Sequence, residues 1–127
     1  QITLTAMINE GKIVVFNGED GALWYGLMAG CVGGIGSTYP VMAHLFVDLY
    51  RAFKTGDLKL GLNLQRQINV IIREILKFNS LAAAKQILKW LDLDCGDPRP
   101  PTQPLNSEQA KELKTSLDKI GFFNLSH

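Results

Sequence analysis

The sequence predicts an α/β protein in which two βα units are followed by a run of helices. Three observations predict it. Lys12 to Asp20, K-I-V-V-F-N-G-E-D, carries a β-branched apolar run and then a glycine. Gly30 to Pro40, G-C-V-G-G-I-G-S-T-Y-P, repeats that pattern one short helix later. From Asp57 onward the apolar residues recur at helical spacing, and no further strand-like run follows. Two strands joined through a helix form a βαβ unit, and such units put their chemistry at the carboxyl ends of the strands.

Residues 1–10 read as the tail of a helix stopped by Gly11, and hint that the chain is a piece of something longer. Ile13 to Phe16, bounded by Gly11 and Gly18, reads as a buried parallel strand. Glu19 and Asp20 then occupy a helix start, where the dipole favours acids. Leu23, Leu27 and Met28 give that helix its buried stripe, and it ends near Gly30. Val32 to Ser37 is the second strand. Its glycines, Gly33, Gly34 and Gly36, imply close backbone approach by a neighbour or a ligand.

Pro40 opens the next helix, where a missing N–H costs nothing. Val41, Leu45, Leu49 and Phe53 recur every four residues along it, and Gly56 closes it. Asp57 caps a long helix through Phe78, whose apolar face is Leu58, Leu62, Ile68, Ile71, Ile72, Ile75 and Leu76. Arg66, Arg73, Glu74 and Lys77 mark its polar side. Ser80 caps another helix, with Ala84, Ile87, Leu88 and Leu91 inward. Residues 94–106 are proline-rich and read as a rigid strap across a helical surface. Asn106 or Ser107 with Gln109 resembles a capping box. The last helix buries Ala110, Leu113, Leu117 and Ile120, and Gly121 ends it.

With 127 residues, 46% of them hydrophobic, the chain is long and apolar enough for one core. A net charge of +1 and no basic–aromatic stripe argue against nucleic acid. No apolar run reaches membrane-spanning length, so no membrane partner is expected. Cys31 and Cys95 fit no metal spacing and read as buried or half-buried free thiols of a reducing cytoplasm. His44 and His127 form no pair, and no carboxylate cluster suggests a metal.

The glycine run lacks the lysine of a phosphate-binding P-loop and the spacing of a dinucleotide fingerprint. A Schiff-base nucleophile needs a desolvated lysine, usually on a strand. Eight of the lysines fall on or beside helices, and Lys12 stands at the amino end of its strand. No catalytic residue is therefore expected in this chain. Ser37 has no base in view, since His44 lies two helical turns on. Asp20 and Ser37, at adjacent strand ends, are placed to bind the hydroxyl groups of a polar ligand or simply to cap helices.

At these residues the chain resembles the N-acetylneuraminate lyase and dihydrodipicolinate synthase family, in particular its lyase branch. F-N-G-E-D-G stands where the branch has a strand ending N-G-x-D-E, and G-C-V-G-G-I-G-S-T-Y-P where it has G-x-x-G-x-I-G-S-T-Y-N. A-F-K-T-G-D, N-L-Q-R-Q-I-N and C-G-D-P-R-P-P-T-Q-P-L resemble the later helices and strap, so the likeness covers essentially the whole chain.

The resemblance implies the C-terminal portion of a (β/α)8 TIM barrel. Residues 1–56 would be strands 7 and 8 with their helices, and residues 57–127 the C-terminal helical extension. It also implies a pyruvate-dependent class I aldolase or lyase acting on a 2-oxo acid such as N-acetylneuraminate or another 2-oxo-3-deoxy sugar acid. Such enzymes need no cofactor beyond their own lysine and are usually tetramers. The Schiff-base lysine and proton-relay tyrosine would lie in the six strands not present here.

Gly18, Asp20 and Ser37 match positions that line the pocket for the substrate tail, and Ile35 one beside the reactive carbon. Gly21 departs from the glutamate of the lyase pattern, which argues against sialic acid itself. Pro40 replaces an asparagine. The alternatives are a dihydrodipicolinate synthase-type condensation and a non-catalytic helical interaction module derived from the barrel.

Overall fold

A computed structural model describes Thr5 and residues 12–125. Apart from Thr5, the expected helix over residues 1–10 lies outside the described residues, as does His127. Strand β1 (Phe16–Asn17) pairs in parallel with β2 (Gly33–Gly34), Phe16 opposite Gly33 and Asn17 opposite Gly34. Flanking bonds from Val32 N to Val15 O and from Ile35 N to Asn17 O extend the ladder by one step at each end. Helix α1 (Leu23–Met28) makes the crossover, so the expected βαβ unit forms.

The rest is helical: α2 (Ala43–Thr55), α3 (Leu58–Ile75), α4 (Ser80–Trp90) and α5 (Ser107–Lys119). Their ends follow local chemistry. Asp57 accepts from Leu60 N to start α3, and Gly56 ends α2 in a left-handed conformation at φ 73°. Asn106 and Gln109 form a reciprocal capping box on α5. Asn79, not Ser80, caps α4, because its side chain reaches Ala82 N and Ser80 is already the first helical residue. Pro40 falls in a short 3-10 turn, Tyr39–Val41, and α2 begins three residues later.

One hydrophobic core runs from Leu23 and Trp24 of α1 through Leu45 and Leu49 of α2, Ile68 and Ile75 of α3, and Ile87 of α4. It continues to Leu113 and Leu117 of α5 and to Phe122. Trp24 lies flat on Gly61 of α3, where an added Cβ would stand 2.1 Å from the ring. The strap runs along α4. Lys85 Nζ donates to the carbonyls of Cys95 and Gly96 at 3.0 Å, and Pro98 is buried.

Several expected core residues face outward instead. Ile13, Val14 and Phe16 of the first run and Val32 and Ile35 of the second are exposed, by 40–66%. Among the described residues, the two-stranded sheet is covered on one face by α1, and its other face and both edges are open. Met28, Leu58, Leu76 and Ile120 stand at helix ends, past the reach of the neighbouring helices, and are exposed. Cys95 is also exposed, because it sits on the strap, whereas Cys31 is buried; both are free.

Candidate functional site

The carboxyl ends of β1 and β2 lie side by side and carry all four residues expected to bind a ligand. Gly18 follows β1 and is exposed, with nothing within 4 Å of where a Cβ would be. Ile35 follows β2 and is 66% exposed. Ser37 is exposed, and among the described residues its hydroxyl has no hydrogen-bond partner. Asp20 is half-buried between the two strand ends.

Asp20 is not a helix cap. Glu19 takes that role, accepting from Gly21 N at the head of the 3-10 turn Asp20–Ala22. Asp20 Oδ2 instead accepts from Thr38 N at 2.8 Å and Thr38 Oγ1 at 2.5 Å, tying the end of β1 to the end of β2. Charge-assisted hydrogen bonds of this kind are about twice as strong as neutral ones. Asp20 Oδ1 lies against Gly36, where a Cβ would stand only 1.5 Å from it. The close approach expected at the glycine run therefore comes from the chain itself. Gly36 makes room for Asp20, and Gly34 for the Tyr39 hydroxyl at 2.0 Å from a would-be Cβ.

The Tyr39 ring stacks on Phe46, centroids 3.8 Å apart, and its hydroxyl is buried without a hydrogen-bond partner. Burial, helped by the negative charge of Asp20, pushes its pKa from 10 up to about 12. Beside it, Leu23, Gly34, Phe46, Val47 and Tyr50 line an apolar cleft of about 350 Å³ along the free side of β2.

The back of the turn is held from α3. Gln65, 1% exposed, accepts from Trp24 N at 2.8 Å through Oε1. Its Nε2 donates to Asp20 O at 3.3 Å and to Asn69 Oδ1 at 3.0 Å. Asn69 and Gly21 border a second cleft of about 460 Å³ with Glu19, Arg73 and Lys77. Outside this cleft, buried Glu74 accepts from Lys77, which holds its carboxyl below the usual range, with Arg73 and Ser116 helping and burial opposing.

Sequence reasoning missed Thr38, Gln65 and Asn69. The available signal was Gln65 itself, a polar residue inside the apolar stripe of Leu64, Ile68 and Ile72. Thr38 carried no such mark beyond lying next to Ser37.

No lysine lies on β1 or β2. Among the described residues there is no metal-capable group of three His, Cys, Asp or Glu side chains, and no helix long and apolar enough to cross a membrane. What the strand ends offer is one fixed carboxylate oxygen, one free hydroxyl and open backbone, a set suited to hydrogen-bonding a polyhydroxy ligand.

Residues 2–120 match the dihydrodipicolinate synthetase family. The chain belongs to that family. Against the N-acetylneuraminate lyase of Escherichia coli it is 34% identical over 112 residues, which is 85% of this chain and 37% of the lyase. The chain thus spans little more than a third of the curated relatives it matches. Solved structures agree with the family assignment. N-acetylneuraminate lyase from Aliivibrio salmonicida superposes with a TM-score of 0.83 at 31% identity, over 96% of this chain and 40% of that one. A catalytic-lysine mutant of Ruminococcus gnavus sialic acid aldolase superposes with a TM-score of 0.86 at 28% identity, over 94% and 40%. These relatives are named as lyases and aldolases.

Proposed function

We propose that this chain is the C-terminal portion of a (β/α)8 aldolase of the dihydrodipicolinate synthetase family, with residues 1–56 closing the barrel and residues 57–127 as its helical extension. In this reading it forms the substrate-tail wall of a pyruvate-dependent carbon–carbon lyase. The observation that carries this is the convergence of Gly18, Asp20, Ile35 and Ser37 at two adjacent parallel strand ends, with Asp20 clamped by Thr38.

A lysine from the remainder of the barrel condenses with the 2-oxo group of the substrate, releasing water and leaving a protonated imine. As the bond between the third and fourth carbons breaks, its electron pair moves toward that imine while the hydroxyl on the fourth carbon gives its proton to a base in the remainder of the barrel and becomes the aldehyde carbonyl. The products are the enamine of pyruvate and an aldehyde. Asp20 Oδ1 accepts from a tail hydroxyl, Ser37 donates to or accepts from another, and the backbone at Gly18 and Ile35 shapes the wall. Because Thr38 already orients the carboxylate, little ordering is left to be done on binding. Gly21, which brings no carboxylate, favours a sugar acid other than N-acetylneuraminate.

Intact mass after incubation with pyruvate and borohydride tests this. The chain at its own 14.0 kDa mass should gain no adduct. A longer polypeptide carrying it, or the chain combined with the missing barrel portion, should gain one reduced pyruvate. No adduct on any such species would overturn the aldolase reading. It would favour instead an interaction module that uses the exposed apolar face of β1 and β2.

A further inference from the structure

The geometry points to Gln65 of α3 as a positioning residue that sets where the Asp20 carboxylate stands, and so couples the helical extension to the strand-end site. The part Asp20 plays toward substrate rests on the function proposed above; the latch through Gln65 does not.

A primary amide in an apolar helix stripe is costly unless both ends are bonded, and a leucine there would pack more favourably. Gln65 has both ends bonded to the turn or its approaches. Oε1 takes the N–H of Trp24, a residue only 3% exposed and so out of reach of water. Nε2 meets two acceptors, Asp20 O and Asn69 Oδ1. Flipping the amide would set NH2 against N–H and oxygen against oxygen, so its orientation is determined.

Asp20 is thereby gripped twice, at its carbonyl by Gln65 and at its carboxylate by Thr38. Gly36 removes the one Cβ that would push the carboxylate aside. The result is a single placement of Oδ1, decided from α3, a helix 45 residues further along the chain.

Residue-resolved amide hydrogen exchange on the full chain tests this. Gln65→Leu deletes both functions. Gln65→Met keeps the length of the side chain but has no donor for Asp20 O and only a weak acceptor for Trp24 N–H. Asn69→Ala, at an exposed position, removes only the acceptor that orients the amide. In Gln65→Leu the Trp24 and Thr38 amides should both exchange at least about tenfold faster. In Gln65→Met and, more weakly, in Asn69→Ala, Thr38 should exchange faster, and in Asn69→Ala Trp24 should stay protected. Ala83 and Leu113, in the core away from the turn, should not change.

If Gln65→Leu unfolds the chain, the other two variants decide. Unchanged Thr38 exchange in both overturns the proposal, as does uniform loss of protection at Ala83 and Leu113. In a polypeptide carrying the whole barrel, Gln65→Met should raise KM for long-tailed 2-oxo acids more than it lowers kcat. Faster Thr38 exchange with an unchanged KM would leave the latch standing and remove Asp20 from substrate binding.

Discussion

Asp20 shows how one side chain serves both fold and site. Oδ2 closes the gap between two strand ends through Thr38, and Oδ1 is left as an acceptor beside Gly36. In a working barrel, Asp20→Ala should raise KM for polyhydroxy 2-oxo acids roughly 10- to 100-fold, the worth of one hydrogen bond to a charged group. Turnover should fall much less. An unchanged KM for every long-tailed substrate would sink the assignment.

Tyr39 makes a second residue-scale prediction. Its folded pKa, about 12, lies above its ordinary value of 10, so the folded state holds the proton more tightly. The stability this contributes is fully present below pH 10 and is lost as pH rises toward 12. Tyr39→Phe should leave stability at neutral pH unharmed, since the buried hydroxyl has no partner to lose. It should also flatten the alkaline fall. Thermal melts of both proteins from pH 8 to about 12 measure the difference, and parallel curves would contradict it.

Among the elements, α3 organises the others. It packs against α1, α2, α4 and α5 and supports the turn that carries Asp20. Its crossing with α1 depends on Gly61, the one place where Trp24 can lie on the helix backbone. In a free helix alanine is better than glycine by about 1 kcal/mol. Here Gly61→Ala must displace a rigid indole, and overpacking of that kind costs about 1–3 kcal/mol. The variant should therefore melt at a lower temperature than the parent, despite its higher helix propensity. A higher melting temperature would mean that Trp24 repacks freely.

The apolar periodicity of α2 to α5 was legible in the sequence, as were the caps at Asp57 and Asn106 and the stop at Gly56, because each depends on neighbours within a turn. The capping role of Asn79 was hidden behind Ser80, since both residue types serve. For the whole molecule, a single core joins α1 to Phe122 and gives the helical part its cohesion. The sheet side is different. Ile13, Val14, Phe16, Val32 and Ile35 are all exposed, and Val14, Phe16 and Ile35 share the face turned away from Asn17, with no strand paired at either edge among the described residues. Such surface drives association. The isolated chain should sediment as oligomers or aggregate with concentration. A clean monomer with one cooperative melt would contradict that expectation and weaken the barrel-portion reading.

The order of elements, the βαβ connection and the gathering of Gly18, Asp20, Ile35 and Ser37 at neighbouring strand ends could be read from the residues alone. These follow from local periodicity, glycine and capping chemistry, and the parallel pairing of two adjacent runs. Which atoms Asp20 offers and which it has already committed depends on contacts made in the folded chain. Thr38 lies 18 residues away and Gln65 lies 45, and no local pattern specifies a hydrogen bond across such a separation. The tertiary structure also decided that the apolar side chains Ile13, Val14, Phe16, Val32 and Ile35 stay exposed. Burial depends on what lies across the sheet, and a strand's own composition does not record that.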